Sequence, residues 1–581
     1  LQQARAEMEG IAARLAIAYP DANRQFGIAL QPLRERFVGD IRTSLLILFA
    51  AVLFVLLIAC ANVANLFLMR SAGRTREIAM RIAIGATRGR IIRQMLAESF
   101  VLAFFGGVLG LGLAWAGIKA IASLIPPATL GRAAVTLDGA VLAFAALATL
   151  FAAVAFGLAP AMQSVRTSIQ SKLKESGKST TAGSRQHRWR SALVVGEIAL
   201  SMVLLAGAGL MLKSLYRLLS IDPGFQPDRL LKIEMDLGAP QYQKGPARLA
   251  FWRQVLDRVR ALPGVESAAT GTNIPLTNSH SRSDISIEGQ PIPAPGSFPH
   301  PDFHNVSTAY ARTLGMRLIR GREFSDADSE TAPRVALINE RIARELFPGQ
   351  DPIGKRFMNG APTPGRQPNW TTIVGVVADT RMYGLANPTR LEVYRPLAQG
   401  PPGGANLIAK SHLDPAALTS SIRAIVASID REQPLTAITT MNQAVQESLG
   451  SRRITMILLG LFSALALVLA GIGIYGVISY SVAQRTQEIG IRMALGASRE
   501  DVIKMILLQG VRIAAMGVAI GIIAAFGLTR YIEKMLFDVA PGDPATLAAV
   551  AFVLALVALL ACYIPARRCV RVDPMIALRY D

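Results

Sequence analysis

The stretch RTREIAMRIAIGA at residues 74–86 recurs as RTQEIGIRMALGA at residues 485–497. Eight of the thirteen positions agree, pairing Arg74 with Arg485, Glu77 with Glu488, Arg81 with Arg492, Gly85 with Gly496 and Ala86 with Ala497. The offset of 411 residues runs on without a gap to Gly110 and Gly521, so the chain is internally duplicated. Each copy is a short charged segment set between long apolar ones, and that setting decides the fold.

The 581 residues exceed what one core holds, yet 51% of them are hydrophobic and the mean hydropathy is +0.37. Seven stretches reach the roughly 20 apolar residues that a bilayer crossing takes: 43–69, 97–118, 137–162, 191–212, 454–481, 505–529 and 545–566. The net charge of +21 follows the same layout. Segments 70–93, 162–190, 482–504 and 567–581 together hold 22 Lys and Arg against 7 Asp and Glu. That asymmetry is the mark of cytoplasmic connections, so the basicity is read as topology and not as a nucleic-acid partner.

This orientation places the C-terminus in the cytoplasm and the block 214–452 outside it. The fold class is a polytopic α-helical membrane protein, with seven crossings arranged as three plus four, carrying a large α+β extracytoplasmic domain. Strand-length alternation at 233–237, 268–271, 283–289, 335–338, 372–377 and 405–410, with helical spacing at 246–262, 339–347 and 415–429, supports the α+β reading. All three cysteines, Cys60, Cys562 and Cys569, fall in or beside membrane helices, which leaves the outer domain without a disulfide. Residues 1–42 read as the end of an earlier outer domain, a helix at Gln2–Ala18 and then a short strand, in a chain whose first crossing is missing.

Motifs for phosphate, metal or nucleophilic chemistry fail on inspection. Gly349 to Arg356 reads GQDPIGKR, with Arg356 where a phosphate-binding loop needs Ser or Thr for Mg²⁺. The GKS at Gly177, Lys178 and Ser179 has Lys172 where the first Gly belongs. Both read as turns. His300 and His304 flank Asp302 in PHPDFH, a weak metal pattern whose prolines favour a loop; His280 and His412 are likewise placed in outer loops. No metal, cofactor or catalytic site is expected.

Within the repeat, Glu77 precedes Arg81 by four residues and Glu488 precedes Arg492 likewise, the order that supports a helix. Ile78 with Ile82, and Ile489 with Met493, form an apolar edge beside the charges. Gly85 and Gly496 stop these helices, and Ser498 with Asp501 resembles a capping box for the next one. Each copy thus predicts a crossing, a cytoplasmic elbow helix, a tight turn and a second crossing. Basic residues alone suit anionic lipid, but matched Glu, Gly and Ala demand position and favour docking of a protein. Farther on, Gly106 with Gly110 and Gly517 with Gly521 repeat a GxxxG spacing for close helix packing. Glu197 is the one ionisable residue well inside a crossing, a candidate intramembrane polar site that either reaches interfacial water or serves a proton or substrate.

The paired elbows, the terminal ARRCVRVDPMIALRYD, and the outer segments LINERIARELFPGQDPIGKRF and TTIVGVVADTRMYGLANP resemble FtsX-like and MacB-like permeases of ABC systems. The duplicated layout is most similar to the acidobacterial duplicated orphan permeases. That resemblance implies domains at 1–42 (remnant of a first periplasmic domain), 43–162 (first FtsX-like membrane domain), 163–190 (cytoplasmic linker), 191–213 (a crossing opening the second half), 214–452 (second periplasmic domain), 453–566 (second membrane domain) and 567–581 (cytoplasmic tail). It also implies a mechanotransmitting export or efflux permease of the bacterial inner membrane. Arg74, Glu77, Arg81, Gly85 and Ala86, with Arg485, Glu488, Arg492, Gly496 and Ala497, would then couple to a separate cytoplasmic ABC ATPase dimer. A periplasmic adaptor, an outer-membrane channel and membrane lipid are the further partners it suggests. Two alternatives stay open: an FtsX-like regulator of a periplasmic enzyme, and an ion-coupled secondary transporter, for which Glu197 is the only midplane candidate.

Overall fold

A computed structural model of the chain describes every residue except 20–22, 24–26, 74–79, 81–86, 125–136, 167–180, 277–280, 295, 363, 364, 366, 496 and 570–581. The chain divides into two compact units: residues 1–36 with 218–450, and residues 37–217 with 451–581.

Helix α1 is Gln2–Ala18, followed by α2 (Leu33–Gly73), α3 (Arg88–Leu124), α4 (Gly139–Arg166) and α5 (Thr181–Leu219). The expected strand between α1 and α2 does not form among the described residues, since 27–32 carry no strand and α2 starts at Leu33. Past the outer domain come α11 (Gly450–Gln484), α12 (Thr486–Ala494), α13 (Arg499–Ile532) and α14 (Pro544–Cys569). Six of these helices are long and apolar enough to cross a bilayer within their described residues: α2, α3, α5, α11, α13 and α14. The seventh expected crossing coincides with α4, a 28-residue helix whose side chains are described only as far as Val154.

These helices are apolar around most of their circumference, as lipid demands. On α2, Leu45, Leu46, Phe49, Val52 and Leu53 are exposed, while Ala51 and Ile58 are buried against Leu204 of α5 and Leu459 and Ala466 of α11. Where two helices approach most closely, one side is small. A Cβ on Gly521 of α13 would lie 2.5 Å from Met202 Cβ and 3.0 Å from the Ala199 carbonyl of α5, so only glycine fits there.

The outer unit runs β1 (Leu230–Asp236), α6 (Gly245–Arg260), β2 (Val265–Gly271), β3 (Ile285–Ile287), β4 (Asp302–Val306), α7 (Tyr310–Leu314), β5 (Leu318–Gly321) and β6 (Val335–Asn339). It continues with α8 (Glu340–Leu346), β7 (Arg356–Asn359), β8 (Thr371–Val377), β9 (Glu392–Pro396), β10 (Gly404–Ser411), α9 (Thr419–Ile429), β11 (Ala437–Thr440) and α10 (Met441–Ser448). The strands form one mixed sheet in the order β11-β1-β10-β2-β4-β9-β6-β8-β7-β3, with β5 against β8. Among the described residues, only β4 with β9 and β6 with β8 are parallel. Strands β2 and β4 share a single pair, Gly271 with Val306, which joins two sub-sheets. Side chains Leu231, Ile233 and Met235 alternate inward from β1 onto Leu249, Trp252, Val255 and Val259 of α6 and Ile422 and Val426 of α9.

Every strand and helix expected here from spacing is present within a few residues. Strands β4, β5, β7, β9 and β11 are additions, and β4 overturns one reading. PHPDFH is not simply a loop: Asp302 to Val306 form a central strand, because the prolines at 299 and 301 stop short of the ladder and leave Phe303, His304 and Val306 to pack inward.

Candidate functional site

The second elbow forms the short helix α12 that the repeat predicts. Ile489 anchors it, buried with Val477 and Ile478 of α11 and Val502 and Ile506 of α13. Burying such a side chain contributes about 1.5–3 kcal/mol. Glu488 and Arg492 form an ion pair at 2.6 Å, both about half exposed, which adds only about 0.3–0.5 kcal/mol. Anchoring therefore comes from Ile489, and the charged pair is left facing outward. At the C-terminal end the Ala497 N–H donates to the Arg492 carbonyl over 3.0 Å, the 6→1 bond that closes a helix around a C′ residue. That residue, Gly496, lies outside the described residues. Ser498 and Asp501 cap α13 reciprocally, each side chain meeting the other's backbone N–H.

Sequence spacing singled out Ile489 and Met493 as the apolar edge; the structure turns Ile489 inward, leaves Met493 half-buried and exposes a second edge. Ile491 is 45% exposed and Leu495 is 83% exposed, one turn apart, beside the Glu488–Arg492 pair. Nothing in the spacing alone says which edge faces in. Arg485 precedes the helix and is exposed. The first elbow, with Arg74, Glu77, Arg81, Gly85 and Ala86, lies outside the described residues, as does the GKS at 177–179.

The two GxxxG segments meet different surroundings. On α13, Gly517 and Gly521 lie against α5, where a Cβ would come 2.6 Å from Ile198 Cβ and 2.5 Å from Met202 Cβ. On α3, Gly106 and Gly110 have nothing within 4 Å of the corresponding positions among the described residues. Glu197 lies on α5, one residue before Ile198, and is 1% exposed. Gly473 of α11 and Asn62 of α2 approach the same place: a Cβ on Gly473 would collide with Glu197 Oε2 and lie 3.0 Å from Asn62 Oδ1.

The outer domain holds a buried polar cluster that the sequence did not announce. Register sets Asp302 opposite Glu392 and His304 opposite Tyr394 across β4 and β9. Glu392 is fully buried; its Oε2 accepts from Tyr394 Oη at 2.6 Å and Thr380 Oγ1 at 3.0 Å. Its Oε1 has no partner among the described residues. Burial pushes the Glu392 carboxyl up to about 8, with Asp379 and Asp302 adding to the effect. His304, also fully buried, takes a hydrogen bond from Asn273 Nδ2 on Nδ1 at 3.2 Å. Burial, and then the Arg395 charge, depress its imidazole to about 3. Asp302 is answered by Arg282 at 3.3 Å and Arg390 at 3.8 Å. His300 is exposed and pairs with Asp284. His300 and His304 therefore share no site, and no metal-ligating group of three occurs among the described residues.

Comparison with known proteins matches the same segments. The family model described as FtsX-like permease C-terminal matches residues 49–169 and again 460–574. The model described as MacB-like periplasmic core domain matches residues 191–429. A probable syringafactin export ATP-binding/permease protein of Pseudomonas syringae pv. tomato is 29% identical over 300 residues, 48% of this chain and 42% of that protein. A macrolide export ATP-binding/permease protein of Yersinia pestis bv. Antiqua is 29% identical over 289 residues, 47% of this chain and 42% of that protein. The chain thus spans less than half the length of the curated relatives it matches. The crystallised periplasmic region of MacB from Actinobacillus actinomycetemcomitans aligns with 14% identity and a TM-score of 0.28, covering 40% of this chain and 96% of that one.

Proposed function

Since the chain belongs to the FtsX-like and MacB-like ABC permeases, we propose that it is the membrane subunit of an export system and that a separate cytoplasmic ATPase dimer drives it through the two elbows. In this reading, closure of the ATPase on ATP pushes α12 and its counterpart at 74–86, tilts the membrane helices and moves the extracytoplasmic domain. The observation that carries it is the build of α12. One side is fixed to α11 and α13 through Ile489, and the other presents Ile491, Leu495 and the Glu488–Arg492 pair.

A lever needs both properties, a rigid foot and a free contact face. Exposed apolar side chains flanking an ion pair suit a groove in a protein partner, whereas lipid headgroups would be met by basic residues alone. Export is the direction that the relatives' names support, since both are called export permeases.

Co-purification tests the reading. The intact chain, expressed with a cognate ATPase, should retain it through affinity purification and stimulate its hydrolysis. Reversing both elbow charges together, Arg81→Glu with Arg492→Glu, should remove the ATPase and abolish the stimulation. Unchanged retention and stimulation would refute docking at the elbows.

A further inference from the structure

Glu197 is a buried ionisable side chain to which coupling assigns no role. Neither carboxylate oxygen has a hydrogen-bond partner among the described residues. An ionised carboxylate held unpaired within a membrane span is strongly disfavoured. A group kept this way either carries a proton or binds a cation, and its neighbours distinguish the two.

From α2, Asn62 uses its Nδ2 on the Leu469 carbonyl at 2.9 Å and the Ile58 carbonyl at 3.4 Å, which leaves Oδ1 as the free end of the amide. From α11, Gly473 offers no side chain, and the carboxyl occupies the space that one would fill. From α13, Gly517 packs on Ile198 and the Val195 carbonyl, on either side of Glu197. On α5 itself, Arg190 lies two turns earlier with its guanidinium 4.1 Å over the Tyr480 ring. A second carboxylate is absent from this set, so a metal ion would find a single charged ligand. An acceptor oxygen that shares the Gly473 position with the carboxyl instead suits an O–H donor.

The position is also where the two repeat copies meet. Asn62 and Gly473 are 411 residues apart, the repeat offset, and so are Ile58 and Leu469, the two carbonyls that Asn62 Nδ2 bonds. The copies cross here with one amide between them, and the place of the second amide is taken by the carboxyl of α5.

We propose that Glu197 is an intramembrane proton-binding site at the crossing of the two repeat copies, holding a proton at neutral pH and facing the Oδ1 of Asn62 as its acceptor. Loss of that proton would leave an unpaired charge among α2, α5 and α11 and force them apart. Proton occupancy therefore sets how closely the two copies pack. The site does not depend on the coupling reading, and its test involves no ATPase.

Dicyclohexylcarbodiimide reacts with protonated carboxyls and enters from the apolar phase. The carboxyl proton passes to a carbodiimide nitrogen, the carboxyl oxygen bonds to the central carbon, and the adduct rearranges to a stable N-acylurea. The intact protein in lipid nanodiscs at neutral pH is treated and mapped by peptide mass spectrometry. The adduct should fall on Glu197 at a level on the order of a hundredfold above that on the exposed Glu500 and Asp538. It should be equal in sodium and potassium buffers and absent from that peptide in Glu197→Gln. No adduct on Glu197, or protection of it by sodium, would overturn the proposal. Should the Gln variant fail to fold, the wild-type map decides alone.

Discussion

Raising the pH from 6.5 to 8 should destabilise the extracytoplasmic domain, and replacing Glu392 with Gln should abolish that loss. Two buried titratable groups of the β4–β9 cluster, Glu392 and His304, act in opposite directions. Glu392 has an ordinary value of 4.5 and is raised to about 8 in the fold, so the folded domain holds a proton that the unfolded chain releases. Its contribution is complete below about 4.5 and is lost as pH rises through about 8, at about 1.4 kcal/mol per unit. His304 has an ordinary value of 6.5 and is lowered to about 3, so the unfolded chain takes up a proton that the fold refuses. Its contribution is complete above about 6.5 and is lost as pH falls, with the same slope.

Between about 4.5 and 6.5 the two slopes cancel, and above 6.5 only Glu392 acts. The loss between pH 6.5 and 8 is therefore about 2 kcal/mol. Gln at 392 keeps an oxygen to accept from Tyr394 and Thr380 but has no proton to lose. Its profile should be flat above 6.5, and should fall toward acid below 6.5, where the His304 slope is no longer offset. The assay is a urea series on the full chain in detergent, followed by pulsed hydrogen exchange on peptides covering Asp302–Val306 and Glu392–Pro396. A wild-type midpoint that rises between pH 6.5 and 8, or an equal decline in Glu392→Gln, would refute the reasoning.

Two further outcomes follow from packing. Gly521→Ala places a Cβ 2.5 Å from Met202 Cβ and 3.0 Å from a backbone carbonyl that cannot yield. It should cost about 1–3 kcal/mol of overpacking and lower the thermal unfolding temperature in detergent. Gly110→Ala, with nothing within 4 Å among the described residues, should be neutral or raise it slightly; equal effects of the two would remove the distinction drawn between the copies. Ile489→Ala should release the foot of α12 at a cost of about 2–5 kcal/mol. That would appear as faster hydrogen exchange across Thr486–Ala494 while α13 keeps its protection.

Membrane spans and the α12 elbow were legible because their signals are local. Twenty apolar residues, a Glu-to-Arg spacing of four and a Ser498–Asp501 cap each depend on neighbours in sequence. Central strands with polar residues were not legible. DFHNV and EVYRP carry Asp, His, Glu and Arg in the middle of the sheet, where hydropathy alternation predicts none; Arg282 and Arg390 answer Asp302, and Thr380 and Tyr394 donate to Glu392, contacts that spacing does not show. Which edge of α12 faces outward was hidden for the same reason, since Ile489 and Ile491 differ only in what α11 and α13 bring beside them.

The repeat itself shows why duplicated sequence does not mean duplicated environment. Gly110 and Gly521 occupy equal positions, yet Gly521 is pressed against α5, the crossing that opens the second half, while Gly110 meets nothing within 4 Å among the described residues. Asn62 and Gly473 are equally matched by offset. One carries an amide that bridges the copies, and the other has no side chain where the carboxyl of α5 enters. Both asymmetries have a single source, since α5 contributes Ile198 and Met202 to one and Glu197 to the other. Both asymmetric contacts thus run through α5, the crossing that opens the second half. A change on α5 should consequently act on both asymmetric contacts at once, whereas a change in either elbow should act on its own copy alone.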